Sequence, residues 1–136
     1  MRIAMGQINP TVGDIDGNAE KVAACIERGI AAGVDLVIVP ELAITGYPPK
    51  DLLLKRSFVK QCGEALRRIA ERADGVTVIV GCVSPSDREH GHGLFNSAAV
   101  CAGGEVVATY HKRLLPTYDV FDEHRYFDAG RVPGLV

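Results

Sequence analysis

Over its first 83 residues the chain alternates short apolar runs with segments of helical period, and that alternation restricts the possible folds more than any other feature. The run Arg2-Ile3-Ala4-Met5-Gly6-Gln7 is closed by Asn9-Pro10, which predicts a first strand and a turn. From 18 to 32, Ala19, Val22, Ala23, Ile26 and Ile30 recur at helical spacing, with Asp16 or Asn18 as the cap and Gly33 as the stop. Leu36-Val37-Ile38-Val39 then reads as a buried strand. Strand, helix, strand in that order predicts a parallel pair joined by a right-handed crossover, and so an α/β fold.

Ser57 is placed to cap a second helix whose apolar face is Phe58, Cys62, Ala65, Leu66 and Ile69, closing at Asp74-Gly75. Residues 76–83 read as a third strand, followed by a polar loop over 84–93. Residues 94–101 and 105–110 form a hairpin turned by Gly103-Gly104. From Lys112 onward the chain is rich in charged and aromatic residues and has no sustained period. It reaches Pro133-Gly134-Leu135-Val136 without a closing helix. The near-continuous apolar runs imply a sheet covered by helices on at least one face and by further protein on the other. More sheet is expected beyond Val136.

The chain has 136 residues, 47% of them hydrophobic, which suits one domain with its own core. Fifteen basic and 17 acidic residues are mixed along it, for a net charge of -2. With no polybasic block and no acidic tail, composition gives no reason for a nucleic-acid or membrane partner. The start lacks the pattern of a signal peptide and no apolar run approaches a membrane span, so a cytoplasmic location is expected.

Cys25, Cys62, Cys82 and Cys101 are too widely spaced for a CxxC motif, and the four histidines, His90, His92, His111 and His124, include no pair at metal-ligand spacing. No metal site is expected, and the histidines read as structural or solvated. Cys62 and Cys25 fall on the apolar sides of helices, Cys82 ends a buried strand and Cys101 precedes a hairpin turn. Such thiols behave as small hydrophobes, and none lies on the sharp turn that would expose an activated thiolate. Gly103-Gly104 is better explained by the hairpin than by a phosphate loop.

Glu41 stands just past the end of a buried parallel strand, where open α/β sheets build their sites, and partial desolvation there suits a carboxylate to act as a general base. The same position also suits a turn cap or a surface ion pair. Lys112 follows the last strand and could stabilise an oxyanion on a substrate carbonyl, or form a solvated basic pair with Arg113. Glu123 lies in an aromatic-flanked loop with Phe121, Tyr126 and Phe127, able to bury a carboxylate, although a surface pair with Arg125 is the plainer reading. Tyr47 and Tyr118 could line a pocket or simply pack at a sheet edge.

Three stretches, MGQINPTVGDIDGNAEKV, DLVIVPELAITGYPPKDLL and GLFNSAAVCAGGEVVATYHKRLLPTYDVFDEHRYF, are together similar to the nitrilase superfamily of carbon–nitrogen hydrolases. Within it they most resemble the glutamine-hydrolysing members whose ammonia serves ATP-dependent amidation of deamido-NAD to NAD. The resemblance covers essentially all 136 residues. It implies a nitrilase-type αββα sandwich, of which these residues would form the first half, a partial glutaminase domain. It implies Glu41 as the base that activates a thiol, Lys112 as the oxyanion stabiliser, and Glu123 as the residue that orients lysine and substrate. Tyr47, Tyr118 and Phe121 match the lining of the glutamine pocket.

The nucleophilic cysteine of the family would lie beyond Val136, none of the four present matching its position. The resemblance implies glutamine as the substrate, a synthetase domain as the partner, ATP and Mg2+ as requirements of that domain alone, and a homo-oligomer. Read alone, the 136 residues would then be inactive. Another amidase or carbamoylase of the superfamily is the alternative, as is a non-catalytic fragment acting as an assembly module.

Overall fold

In the computed structural model, which describes residues 1–86 and 90–132, the first helix begins earlier than its apolar period predicts. This helix, α1, spans Ile15–Ala31 and is capped by Asp14, whose side chain accepts from the Gly17 amide at 3.1 Å. Neither expected cap serves: Asp16 lies inside the first turn, and Asn18 is fully buried with its side chain committed elsewhere. The helix starts at Ile15 because that side chain already joins the core. Ile30, expected on the apolar face, is 44% exposed. Gly29 takes its place against the sheet, where an added Cβ would crowd Val37 and Val34, so the last turn packs by its backbone and Ile30 swings outward.

The second helix, α2, spans Arg56–Glu71, and Ser57 falls within it instead of capping it. A 3-10 helix over Lys50–Leu54 leads into α2 with only Lys55 between them. The Lys55 amide donates to Leu52 O, and the residue keeps an extended backbone with no side-chain cap. The preceding turn therefore sets the start of α2, a constraint that helix-cap signals in the sequence do not carry.

Five strands, β1 Ile3–Met5, β2 Leu36–Ile38, β3 Thr77–Pro85, β4 Leu94–Ala102 and β5 Glu105–His111, form one sheet in the order β1-β2-β3-β4-β5. The first three run parallel, and β3, β4 and β5 are antiparallel neighbours. Because β3 continues to Pro85, Cys82 lies within it and not at its end. A short 3-10 helix, Glu123–Arg125, follows β5. The middle of the expected 84–93 loop and the stretch 133–136 lie outside the described residues.

The register shows which face the helices cover. Val37, Val78 and Cys101 stand side by side across β2, β3 and β4, and all three are completely buried. They pack with Val22 and Ile26 of α1 and with Cys62, Ala65 and Ile69 of α2 in one core. The neighbouring row, Met5, Ile38 and Ile79, points the opposite way, and Met5 is 86% exposed. The chain thus supplies one helical layer and one sheet layer of the αββα plan. Among the described residues no helix is long and apolar enough to cross a membrane.

Candidate active site

Val39 still donates to Ile79 O at 3.0 Å, but Pro40 has no amide hydrogen to continue the ladder and the chain leaves the strand direction. The turn that follows lies directly on β3. Ala43 N donates to Gly81 O at 2.9 Å, and a Cβ at Gly81 would stand 2.6 Å from Glu41 Cα and from Leu42 N. Leu42 adopts φ 50°, an unfavourable conformation for a branched side chain, and is held there by complete burial. Asn18 braces the same turn from α1: its Nδ2 donates to Ile44 O at 2.9 Å and to Thr11 O at 2.8 Å, and its Oδ1 accepts from Thr11 N at 2.8 Å. Glu41 is therefore fixed by a proline, a glycine on the next strand and a buried asparagine on a helix.

Lys112 extends the last ladder by one residue, donating its amide to Asn96 O at 2.8 Å. Glu123 opens the final 3-10 helix with its amide on Pro116 O at 3.1 Å. These three elements bring the three charged groups together. Lys112 Nζ lies 2.9 Å from Glu41 Oε1 and 3.0 Å from Glu123 Oε1. The side chain of Glu41 is 51% exposed and that of Glu123 only 7%, so one carboxylate faces the opening and the other is sealed behind the lysine. Glu123 does not pair with Arg125, which lies nearest Asp51.

Burial is the largest single influence on the Lys112 ammonium and would lower its pKa. Hydrogen bonds from Glu41 and Glu123, and their charges, together outweigh it and hold the group above its usual 10.5. Tyr47 is raised above 10.0, first by burial and then by the negative charges of Glu123 and Glu41. Its hydroxyl thus feels the same cluster. The Tyr47 and Phe121 rings are 6.4 Å apart, and Tyr118 meets Phe121 edge-on at 5.6 Å, so the three aromatic candidates form one group. A cleft of about 420 Å3 opens between Glu41, Asn96 and Lys112, floored by Ile79 and Gly81. A second cavity of about 260 Å3 lies between Tyr47 and Glu123. A larger one, about 720 Å3, lies beside α2 and contains none of the three charged groups.

The structure adds a residue that the sequence reading missed. Asn96 of β4 is 2% exposed, and its Nδ2 donates to Glu41 Oε1 at 2.6 Å and reaches Glu123 Oε2 at 3.4 Å. The available signal was an amide inside the apolar run Leu94-Phe95-Asn96-Ser97-Ala98-Ala99-Val100, since a buried amide needs polar partners.

His111 serves the scaffold: Ser97 Oγ lies 2.8 Å from its Nδ1, Ser84 Oγ is 2.7 Å from Ser97 Oγ, and Phe95 stacks on the ring. His90, His92 and His124 are exposed. Burial pushes the thiols of Cys62 and Cys101 up to about 11 and that of Cys82 to about 12, which keeps them protonated. Among the described residues, no group of three or more His, Cys, Asp or Glu side chains could hold a metal ion.

The fold is thus a mixed sheet backed by two helices, with a carboxylate–lysine–carboxylate cluster at its strand ends. The family description carbon-nitrogen hydrolase matches residues 2–134, and the chain belongs to that family. A glutamine-dependent NAD(+) synthetase of Synechocystis sp. is 48% identical over 132 residues, which are 94% of this chain and 24% of that protein. The solved glutamine-dependent NAD+ synthetase of Acinetobacter baumannii, in complex with ADP, superposes with a TM-score of 0.88 at 35% identity, over 96% of this chain and 24% of that one. An amidase mutant from Nesterenkonia sp. AN1, with acrylamide added at its active-site cysteine, superposes at 0.79 with 27% identity, over 98% of this chain and 51% of that one. The chain spans about a quarter of the length of the curated relatives it matches.

Proposed function

We propose that the cluster serves hydrolysis of the side-chain amide of glutamine, as part of a glutamine-dependent NAD(+) synthetase. The observation that carries this reading is the convergence of Glu41 and Glu123 on the single ammonium of Lys112 at the mouth of a cleft. The relatives' names supply the substrate.

On this reading the nucleophile is a cysteine thiol outside these residues, as the family resemblance implies and as the active-site cysteine of the amidase neighbour supports. Glu41 takes the thiol proton while sulfur bonds to the amide carbon, and the carbonyl oxygen becomes an oxyanion facing Lys112. The carbon–nitrogen bond then breaks, and Glu41 returns the proton to the departing ammonia, leaving a thioester. Water attacks the thioester with Glu41 again as base, releasing glutamate and the free thiol. Glu123 holds Lys112 in place through its hydrogen bond at 3.0 Å. Tyr47, Tyr118 and Phe121 line the glutamine side.

Ammonia passes to a synthetase domain that amidates deamido-NAD, where ATP and Mg2+ are used; no step on this chain runs through them. A cytoplasmic location and a homo-oligomer belong to the same proposal.

The test is glutamine-dependent NAD formation by the complete polypeptide that carries this domain. Glu41→Gln and Lys112→Ala should each lower it about 10²-fold or more, while formation from added ammonia continues. A near-normal glutamine-dependent rate in either variant overturns the assigned roles. The amidase neighbour covers nearly all of this chain and favours a second reading, a simple amidase. That reading requires hydrolysis of short aliphatic amides without preference for glutamine.

A further inference from the structure

We infer that Asn96 is a positioning residue that selects which oxygen of Glu41 acts as the base, an inference that rests on the amide-hydrolase reading above. Two donors stand between the two carboxylates. Lys112 Nζ joins Oε1 of Glu41 to Oε1 of Glu123 at 2.9 and 3.0 Å, and Asn96 Nδ2 joins Oε1 of Glu41 to Oε2 of Glu123 at 2.6 and 3.4 Å. Both donors address the same oxygen of Glu41. An sp2 carboxylate oxygen offers two lone-pair directions, so Oε1 is fully engaged. Oε2 accepts no hydrogen bond from the described residues, and Glu41 itself lines the cleft. A proton arriving from a thiol goes to Oε2.

The choice of asparagine follows from the charges present. The carboxamide carries two N–H donors and no net charge, so it can bridge two carboxylates without neutralising them. Lys112 alone would hold one point of the Glu41 carboxylate, and the terminal torsion of a glutamate is broad and nearly two-fold. Its side chain is half exposed, and among the described residues its hydrogen-bond donors are Lys112 and Asn96. The second donor removes that freedom. Asn96 can do this because it is itself immobile, 2% exposed on the middle strand of the antiparallel half of the sheet and directly opposite Val83. The titratable groups facing the carboxamide are Glu41, Glu123 and Lys112, with Tyr47 coupled by charge to the same three.

The experiment is steady-state glutamine hydrolysis by the complete polypeptide carrying Asn96→Ala, Asn96→Ser or Asn96→Asp, with thermal melts to confirm folding. Asn96→Ala should lower kcat about 10-fold to 100-fold, as expected for loss of a hydrogen bond to a charged group, with KM for glutamine within about threefold. Asn96→Asp adds a third carboxylate beside one ammonium. It should move the acidic limb of kcat/KM to higher pH by about one unit, because like charge favours the protonated form of the cluster. A merely structural asparagine would leave that limb in place.

Should Asn96→Ala not fold, Asn96→Ser removes the same bridge with a smaller change in polarity, and the same split between kcat and KM is expected. A rise in KM that accounts for the whole loss, or an Asn96→Asp profile that superimposes on the wild type, overturns the inference. If Glu41→Gln is itself fully active, the amide-hydrolase reading fails. If Glu41→Gln is impaired and the Asn96 variants are normal, only the role of Asn96 fails.

Discussion

Asn18 shows how a single side chain can serve two segments that are remote in sequence. It sits in the helix where the apolar stripe runs, yet its three hydrogen bonds hold Thr11 after β1 and Ile44 after β2. The turn that presents Glu41 is thus tied to α1 by a fully buried amide. Asn18→Ala takes the donor from the buried Ile44 carbonyl and the acceptor from the Thr11 amide, and opens a small void. It should destabilise the protein on the order of 3 kcal/mol, read as a lower denaturation midpoint in urea. A change below about 1 kcal/mol would mean that water replaces the amide without penalty. Glu41, Lys112 and Glu123 were legible in the sequence because a charge at a strand end, or set among aromatic rings, is conspicuous. Asn96 was not, because it lies within a run whose apolar neighbours define a strand.

At the scale of elements, close approach of backbones decides where the site can be. The turn after β2 lies on β3 only because residue 81 has no side chain. Gly81→Ala forces a methyl group against the backbone of Glu41 and Leu42, so either the turn lifts or the strand shifts. The expected outcome is a loss of about 2–3 kcal/mol, as for overpacking of a filled interior. Gly63 is the opposite case. It lies in the interior of α2 with nothing within 4 Å of an added Cβ, so Gly63→Ala should stabilise by about 0.5–1 kcal/mol through helix propensity. Thermal melts of the two variants should move in opposite directions. Both substitutions are Gly to Ala within regular elements, and only their surroundings separate them.

Across the whole molecule, burial of neutral thiols and the pairing of one ammonium with two carboxylates shape the response to alkaline pH. Burial raises Cys62 and Cys101 from 9.0 to about 11 and Cys82 to about 12, so the folded state holds these protons longer than the unfolded state does. Lys112 is raised from 10.5, burial working against the hydrogen bonds of Glu41 and Glu123 that prevail. In each case the folded pKa is the higher one. The stability they contribute is complete below the unfolded values and is lost as pH rises through the folded values. The melting temperature should therefore fall steeply from about pH 9 to about pH 12. A flat profile across that range would show that the three thiols are open to solvent.

The sequence by itself determined the elements and their kind: a strand–helix–strand start, a second helix, a hairpin, and an α/β sheet with carboxylates and a lysine at strand ends. Local period and turn chemistry carry that information, since each depends on residues a few positions apart. The helix caps at Asp14 and Lys55, the outward turn of Ile30 and the place of Cys82 within β3 escaped it, because neighbours from other elements overrode local preference. Only the tertiary structure decided that Lys112 meets Glu41 across 71 positions, and that Asn96 reaches the same oxygen across 55. Those meetings follow from sheet register and from the fit of Gly81 beneath a turn. Both arise when the core closes, from contacts between residues that are far apart along the chain.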